Sequence, residues 1–357
     1  MSKCSRCENL PAEPPEEGVL YVAPPLSHTR GTLRRLLWGS GLPFGDPLED
    51  VLAVELCPSG LSSLSDTLLD GMTEAELRDC RAILVEKGAR VDLGALSRMQ
   101  DLFTLLNCAR EAWLKKIMRE EKLAVHFQPI VAVADPGEVF AYECLLRGID
   151  EGGALVGPGS MFGAARAAGL LYNLDRAARV RAIEEAARQG IRQNVFVNFN
   201  ATSVYDPAYC LRSTMEAVEG SGIPPGRIVF EVTDGEQIRD TVHLANIVDY
   251  YREGGFGVAL DDLGSGYGSL DLLAELSPDF VKLDMGLVSR DGGAPYKASI
   301  ARKLIELAHE LGVIVIAEGV ESPEQYRWIS AHGVDYAQGH FFARPASPPP
   351  APNRVGP

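Results

Sequence analysis

Short apolar runs recur along the chain from residue 122 onward, and helical patterns separate most of them. Each of the eight runs is five to seven residues long, which is typical of a buried strand. The runs cover residues 125–130, 139–145, 195–200, 228–233, 257–262, 280–284, 313–318 and 336–341. The helical patterns cover residues 175–189, 208–219, 235–253, 295–311 and 323–332. Repeated strand–helix units of this kind predict a TIM-type (β/α)8 barrel over residues 122–346.

The chain before residue 122 has a different pattern, which predicts a small α/β domain over residues 18–94. Strand-like runs and a short helical pattern precede a longer helix, which the sequence places at residues 73–88. Thr73 and Glu76 have the spacing of a capping box, and Gly88 has the conformational freedom that ends many helices. We expect residues 95–121 to form a helix that connects this domain to the barrel. Its apolar positions either pack within the chain or form a dimer seam.

Both ends of the chain are predicted to lack regular structure. Residues 1–17 are polar and proline-rich and read as a flexible arm, and residues 347–357 read as a disordered tail. Cys4 and Cys7 have the spacing of a zinc knuckle, but the return pair of ligands is missing. We therefore favour a plain flexible arm over a metal site there.

The composition is that of an acidic protein with enough apolar residues for a large core. Hydrophobic residues make up 46% of the 357 positions, and the formal net charge is −15. This charge argues against duplex nucleic acid or an anionic membrane as a general partner. No apolar run reaches the roughly 18 residues of a membrane span, and the amino terminus lacks a signal-peptide pattern. We expect a cytoplasmic protein whose seven cysteines are thiols.

Nearly every predicted barrel strand carries a polar or charged residue within or at the end of its apolar run. A charge inside a barrel strand is costly unless it is paired or bound to a metal ion. One shared site therefore explains these residues better than eight separate core groups, and barrel sites lie at the carboxyl ends of the strands. The residues are Gln128, Glu143, Asn198, Glu231, Asp261 with Asp262, Lys282, Glu318 and Gln338.

The pair Asp261-Asp262 ends one of these strands and is followed by a glycine-rich loop. Side chains alternate along a strand, so two adjacent acids can turn toward one point only where the strand is ending. Gly264, Gly266 and Gly268 allow the loop to bend tightly. The loop lacks the lysine and hydroxyl residue of a P-loop. The stretch therefore predicts a metal site with a flexible cover rather than a phosphate cradle.

The polar set is dominated by oxygen ligands: five carboxylates and one amide carbonyl, with Lys282 as the single cation. Oxygen ligands suit Mg²⁺ or Mn²⁺. So many acids need about two divalent ions to neutralise them, and a two-metal site is the usual device for in-line attack on a phosphodiester. The alternative is a purely structural salt-bridge cluster, but one lysine cannot balance five acids.

At these residues the sequence resembles the EAL-domain cyclic-di-GMP phosphodiesterases, over residues 114–346. Glu143-Cys144-Leu145-Leu146-Arg147 stands where that family has its name-giving EALLR motif. The other matching motifs, in order, are Gln128-Pro129-Ile130-Val131, the stretch from Asp261 to Leu270, Lys282-Leu283-Asp284, Ala317-Glu318-Gly319-Val320-Glu321 and Gln338-Gly339.

The resemblance implies hydrolysis of one ester bond of cyclic-di-GMP to linear pGpG, with two divalent cations, Mg²⁺ or Mn²⁺, as cofactors. It implies that one metal ion is bound by Glu143, Asn198, Glu231 and Asp261, and the second by Asp261, Asp262 and Glu318. Lys282 would hold the attacking water, and Glu143 and Glu318 would share the catalytic role. Arg147 would pair with a substrate phosphate, and Gln128 and Gln338 would line the substrate cleft.

Four positions depart from the family pattern. Cys144 replaces alanine, Asn200 stands where serine is usual, and Leu263 replaces phenylalanine. The fourth is Asp234, where the family usually has a glutamate that anchors the loop after the paired aspartates. Aspartate keeps the charge but is one methylene shorter, so we expect a weaker loop anchor.

The chief alternative is a catalytically silent cyclic-di-GMP receptor or a protein-interaction module. Degenerate members of such families usually lose metal ligands, whereas this chain retains all of them, which favours an active phosphodiesterase. The chain carries no cyclase signature of the GG(D/E)EF type. We further expect a homodimer that acts in second-messenger signalling and is regulated through the amino-terminal domain.

Overall fold

The computed structural model describes residues 7–11, 14–15, 17–58, 60–89, 91–232, 240–264, 269–287 and 295–353. The chain divides into two compact units. The barrel unit contains Leu123–Gly148 and Asp175–Pro357, and the amino-terminal unit contains Glu8–Lys122 and Ile149–Leu174. Residues 149–174 lie within the sequence range predicted for the barrel, but they pack with the amino-terminal unit.

The strands and helices are numbered here in chain order. The strands are β1 Gly18–Ala23, β2 Phe44–Leu48, β3 Val51–Leu56, β4 Arg81–Glu86, β5 Gln100–Asp101, β6 Leu123–Ala132, β7 Val139–Ile149, β8 Leu155–Val156, β9 Asn194–Phe199, β10 Ile228–Val232, β11 Gly257–Leu263, β12 Phe280–Asp284, β13 Ile314–Glu318 and β14 Tyr336–Ala337. The helices are α1 Ser27–Ser40, α2 Gly60–Gly71, α3 Glu74–Asp79, α4 Leu93–Leu96, α5 Leu102–Arg110, α6 Ala112–Arg119, α7 Pro158–Ala167, α8 Leu171–Arg188, α9 Pro207–Cys210, α10 Arg212–Ser221, α11 Thr241–Glu253, α12 Ser269–Leu276, α13 Pro295–Glu310 and α14 Pro323–Ala331.

Eight strands close into the barrel that the sequence predicts. Their order around the barrel is β6, β14, β13, β12, β11, β10, β9 and β7, and β7 pairs again with β6. Strand β6 runs antiparallel to both neighbours, while the other neighbouring pairs are parallel. This differs from an all-parallel TIM barrel because only residues 133–138 separate β6 from β7. A connection that short can form a hairpin, whereas a parallel pair needs a crossover of a dozen or more residues.

Alternation along the strands divides the barrel interior into an apolar layer and a polar layer. One buried cluster fills the apolar layer and includes Phe196, Val229 and Ile316. In each parallel strand of the site the polar residue comes two positions after an apolar residue of this layer, so both point into the barrel. The pairs are Ala141 and Glu143, Phe196 and Asn198, Val229 and Glu231, Ala259 and Asp261, Phe280 and Lys282, and Ile316 and Glu318. The intervening residues face outward into the larger core between strands and helices.

The amino-terminal unit contains a five-stranded antiparallel sheet in the order β2, β3, β1, β4, β5. Its main core packs apolar residues of the strands against helices α1, α2 and α5, with Leu20, Leu33, Leu52, Leu64 and Leu106 fully or almost fully buried. The structure therefore contains the small α/β domain that the sequence predicts.

The single helix predicted over residues 73–88 is wrong beyond its first turns. The capping box of Thr73 and Glu76 is present and begins α3, but the helix ends at Asp79. Strand β4 follows and pairs with β1 along its whole length. Because the run from Arg81 to Glu86 fits either element, pairing with β1 decided between them. Gly88 has a φ of 84° in the turn after this strand rather than at a helix end.

The continuous connecting helix predicted over residues 95–121 is also not observed. The strand β5 occupies Gln100–Asp101, and the side chain of Asp101 caps α5 by accepting a hydrogen bond from the Thr104 N–H at 2.8 Å. Glu111 separates α5 from α6. Leu102, Leu105 and Leu106 belong to the core of the amino-terminal unit, so these apolar positions pack within the chain.

The chain ends also differ from the predicted arm and tail where they are described. The Asn173 side chain donates a hydrogen bond to the Asn9 carbonyl at 2.9 Å, and Cys7 is buried. In the predicted tail, Asn353 N–H donates to the Phe342 carbonyl at 2.7 Å, and Tyr142 donates to the Pro350 carbonyl at 3.1 Å. These bonds hold residues 347–353 against the barrel, while Cys4 and residues 354–357 lie outside the described residues. Within the described parts of the chain, every helix is too short or too polar to cross a bilayer.

Candidate functional site

The polar layer is centred on Lys282, whose side chain is 1% exposed. Its Nζ lies 2.5 Å from Glu231 Oε1 and 2.5 Å from Glu318 Oε1. Glu143 Oε2 lies 3.3 Å from Nζ, and Asp261 Oδ1 lies 3.9 Å from it. Four carboxylates from four different strands therefore surround one ammonium group.

Glu143 is held by amides on both of its carboxylate oxygens. Asn198 Nδ2 donates to Oε1 at 2.7 Å, and Gln338 Nε2 donates to Oε2 at 2.6 Å. Gln338 Nε2 also donates to Gln128 Oε1 at 2.9 Å. Asn198 of β9 and Gln338, which follows β14, thus fix the orientation of Glu143, and Gln128 of β6 holds Gln338 in turn. Gln128 and Gln338 are both buried.

Gln338 reaches this position because a glycine follows it. A Cβ atom on Gly339 would lie 2.0 Å from the Val320 carbonyl oxygen, which no side chain tolerates. The close approach is stabilised by two backbone hydrogen bonds, from Val320 N–H to the Gln338 carbonyl at 3.0 Å and from Phe341 N–H to the Val320 carbonyl at 3.0 Å. The Gln338-Gly339 motif is therefore one structural unit.

Three carboxylates form the tightest group. Glu231, Asp261 and Glu318 each place an oxygen within 4.8 Å of the other two. Asp262 follows directly, and its N–H donates to Asp261 Oδ1 at 2.9 Å. Its φ of 54° is a left-handed conformation, and the register between β11 and β12 shifts between Leu260 and Leu263. Pairing resumes at Leu263, so the two acids lie at a bulge of β11 rather than at the strand end that the sequence pattern predicts.

The charges in this cluster shift one another's titration. Burial raises the pKa of Glu231 well above its usual range, with the charge of Lys282 opposing. Burial also raises the pKa of Glu318, to about 8. For Glu143, burial is outweighed by Lys282 and the amide hydrogen bonds, so its pKa is lowered. Burial lowers the pKa of Lys282, but the surrounding carboxylates outweigh it and raise the pKa well above its usual range. The cluster is thus short of positive charge.

The donor chemistry of this cluster fits a divalent cation. All candidate ligand atoms are oxygens, as Mg²⁺ and Mn²⁺ prefer. Glu231 Oε2 is buried and, within the described part of the chain, has no hydrogen-bond partner. Leaving a buried carboxylate oxygen without a partner costs free energy, and a bound cation would remove that cost.

Comparisons with known proteins identify the family of this chain. The family model described as EAL domain matches residues 110–345, well over half of the chain. This chain belongs to the EAL-domain family. Its name-giving motif is Glu143-Cys144-Leu145, and the glutamate of that motif is the residue held by Asn198 and Gln338.

Similar proteins include two curated phosphodiesterases and a solved structure. The cyclic di-GMP phosphodiesterase NbdA of Pseudomonas aeruginosa is 32% identical over 241 residues, which cover 66% of this chain and 30% of NbdA. The probable cyclic di-GMP phosphodiesterase PdeB of Escherichia coli is 30% identical over 234 residues, which cover 65% of this chain and 44% of PdeB. The chain therefore spans less than half of either relative. A standalone EAL protein of Vibrio cholerae, crystallised with c-di-GMP bound, is 35% identical with a TM-score of 0.58, covering 65% of this chain and 95% of that one.

The residues that depart from the family pattern differ in their surroundings. The EAL site is the name used below for Lys282 and the carboxylates and amides around it. Cys144 faces outward and its Sγ lies 3.9 Å from the Ala182 carbonyl, while Leu263 belongs to the outer core. Asn200 caps a short 3₁₀ helix by accepting a hydrogen bond from the Thr202 N–H at 2.9 Å. Asp234 and most of the glycine-rich loop, residues 265–268, lie outside the described residues.

Arg147 is half-buried two strand positions beyond Leu145 on β7, and its Nη1 donates to the Leu146 carbonyl at 2.7 Å.

The sequence reasoning missed two buried charges in the barrel unit, Asp175 and Arg179, each 1% exposed. A signal was present, because opposite charges at positions i and i+4 interrupt an otherwise apolar helix face.

Proposed function

We propose that this EAL domain hydrolyses one phosphodiester bond of cyclic-di-GMP to give linear pGpG, in a reaction that requires divalent cations. The observation that carries the proposal is the group of four carboxylates around Lys282, with one buried oxygen unpartnered among the described residues. The family and the names of the similar phosphodiesterases support the substrate. The Vibrio cholerae relative supports it further, since its structure contains bound c-di-GMP.

The residues proposed to hold the cations are those of the polar layer. One cation would be held by Glu143, Asn198, Glu231 and Asp261, and a second by Asp261, Asp262 and Glu318. When bound, such cations lower the pKa of a coordinated water and stabilise negative charge on the phosphate oxygens. Among the described residues, Lys282 is the one cationic side chain that pairs with these four carboxylates, and the proposed cations would supply the further positive charge.

The chain's own groups orient the reactants. Lys282 donates hydrogen bonds to Glu231 and Glu318 and would also donate to the attacking water, holding it against the phosphorus. The water oxygen gives up a proton and forms the new bond to phosphorus, the bond from phosphorus to the 3′ oxygen breaks, and that oxygen takes up a proton, so no proton is gained or lost overall. Burial raises the pKa of Glu318 to about 8, so Glu318 would release its proton when it binds the second cation. Arg147 would pair with the substrate phosphate, and Gln128 and Gln338 would border the cleft.

We also propose that the amino-terminal unit regulates this activity. In its support, that unit has a cavity of about 640 Å³, a volume within the range of small-molecule sites. Aliphatic side chains such as Ile83, Val85 and Leu105 line it together with the polar groups of Arg98 and Thr104. The proposed homodimer stays a prediction.

Incubation of the full chain with cyclic-di-GMP tests the function. We expect pGpG to form with Mg²⁺ or Mn²⁺ and to cease in EDTA. Glu143→Ala should reduce turnover by more than about 100-fold, since changing even the groups that orient metal ligands costs 10–100-fold. Glu138→Ala is the matched control, because that glutamate is exposed just before β7 and takes no part in the site. Full turnover by Glu143→Ala would refute the site.

The alternative function, a silent cyclic-di-GMP receptor, predicts a different result. Such a receptor would bind cyclic-di-GMP tightly in EDTA and release no pGpG when Mg²⁺ or Mn²⁺ is restored. Isothermal titration in EDTA, followed by product analysis after adding Mn²⁺, distinguishes the two.

A further inference from the structure

A buried ion pair lies directly beneath the carboxyl end of β9, the strand that carries Asn198. Asp175 and Arg179 are one turn apart on α8, and Arg179 Nη1 donates to Asp175 Oδ2. Both side chains are almost fully buried, at 1% exposure each. A buried ion pair adds little to stability compared with apolar residues of the same size, so its position needs another explanation.

The ion pair is tied to the turn after β9. Asp175 Oδ1 accepts a hydrogen bond from the Asn200 N–H at 2.8 Å, and Oδ2 accepts from the Ser203 hydroxyl. Arg179 Nε donates to Thr214 Oγ1 of α10 at 3.2 Å. Asp175 therefore joins helix α8 to the turn at residues 200–203, and Arg179 joins the same helix to α10.

This turn fixes the last inward-facing residue of β9. Asn198 lies two residues before Asn200, and its Nδ2 donates to Glu143 Oε1 at 2.7 Å. Between them Phe199 faces the opposite way and packs edge to face on Tyr251, with ring centroids 5.2 Å apart. A shift of the Asn200 backbone would therefore move Asn198 relative to Glu143.

We propose that Asp175, held by Arg179, is a positioning residue of the EAL site that fixes Asn198, and through it Glu143, in the geometry needed to hold a cation. The proposal rests on the proposed function only in that the site binds a divalent cation. It concerns the hydrogen bond from Asn200 to residue 175 rather than the charge of the pair.

Two double variants of the full chain separate these contributions. Asp175→Asn with Arg179→Met removes both charges but keeps an oxygen that accepts from the Asn200 N–H. Asp175→Leu with Arg179→Met removes the charges and the acceptor together. Because the leucine variant leaves the buried Asn200 N–H without its acceptor, we expect it to unfold at a lower urea concentration than the asparagine variant, so metal affinity is compared under conditions where both are folded.

The readout is the affinity for Mn²⁺, measured by calorimetry without substrate. The asparagine variant should bind Mn²⁺ within about threefold of wild type, and the leucine variant about 10–100-fold more weakly. Glu185→Gln on the same helix should bind as wild type, since Glu185 pairs with Arg188 and lies apart from the β9 turn. Wild-type affinity in the leucine variant would overturn the proposal, as would an equal loss in both variants.

Hydrogen exchange of the Asn200 amide provides a readout that needs no metal ion. The exchange rate of this amide should increase about tenfold or more in the leucine variant and stay near that of the wild type in the asparagine variant. If the wild type binds no Mn²⁺, the proposed function fails. Hydrogen exchange still tests the positioning role separately in that case, and an unchanged exchange rate of the Asn200 amide in the leucine variant would refute it. If the leucine variant does not fold, Asp175→Ala with Arg179→Met makes the same comparison.

Discussion

Replacing Lys282 with methionine tests how far this lysine neutralises the surrounding carboxylates when no divalent cation is bound. Its Nζ is 2.5 Å from oxygens of Glu231 and Glu318 and 3.3 Å from an oxygen of Glu143. Removing one partner of a buried charge pair costs about 3–5 kcal/mol, because the other partner stays buried and uncompensated. We therefore expect Lys282→Met in EDTA at pH 8.5 to lose about 3–5 kcal/mol of unfolding free energy.

Divalent cations should restore much of this loss. A ligand at one hundred times its dissociation constant stabilises a fold by about 2.7 kcal/mol, and the variant has no ammonium that competes for the same carboxylates. The gap between Lys282→Met and wild type should therefore shrink by at least half in Mn²⁺. The cost should also be smaller at pH 6, where protons can neutralise carboxylates whose pKa values are raised.

Urea denaturation with and without Mn²⁺ measures these differences. Lys303→Met is the matched control, since Lys303 is exposed and pairs only with the surface residue Glu306 within the described part of the chain. We expect that control to stay within about 0.5 kcal/mol of wild type in every condition. The reasoning would be refuted if Lys282→Met were as stable as wild type in EDTA, or if Mn²⁺ stabilised both proteins equally.

Three further predictions concern titrating groups. Burial raises the pKa of Glu318 from 4.5 to about 8, so a proton on Glu318 competes with a cation for the same carboxylate. The Mn²⁺ affinity should therefore rise by up to about tenfold per pH unit and level off above pH 8. An affinity that stays constant between pH 6.5 and 8.5 would contradict this. The same shift means that the metal-free protein loses stability as pH rises from 4.5 to 8. At pH 8 a thiol reagent should label exposed Cys57 but not Cys80, because burial raises the pKa of Cys80 to about 11. Peptide mass mapping identifies the labelled cysteines, and Cys57→Ser should remove the label at residue 57 alone. Rapid labelling of Cys80 in the native protein would contradict its burial.

The barrel strands and most of the site were predictable because their signals are local. Each strand of the polar layer combines an apolar run with one polar residue near its end, and alternation then fixes which side chains share the interior. Lys282 and Glu318 follow this pattern, and in the structure Lys282 Nζ lies 2.5 Å from Glu318 Oε1. The family motifs placed the same residues independently.

The elements that were wrongly predicted depend on pairing with distant parts of the chain. Arg81–Glu86 became a strand because β1 was available beside it, and the pattern of that run alone fits a helix as well. The short connection from β6 to β7, residues 133–138, did carry a local signal for antiparallel pairing. It was outweighed by the regular strand–helix repeat of the rest of the barrel.

The sequence by itself determined the donor set, because residue types and strand periodicity decide which groups face the interior and which ions they suit. Only the tertiary structure decided how those groups share one charge, since the distances from Lys282 to the four carboxylates depend on how five strands of the closed barrel are placed relative to one another. The hydrogen bond that joins Asp175 to the turn after β9 was also decided only by the tertiary structure, although the i, i+4 spacing of Asp175 and Arg179 is visible in the sequence. Residues 175 and 200 are distant in sequence, and hydrogen bonds between them leave no periodic pattern in the chain.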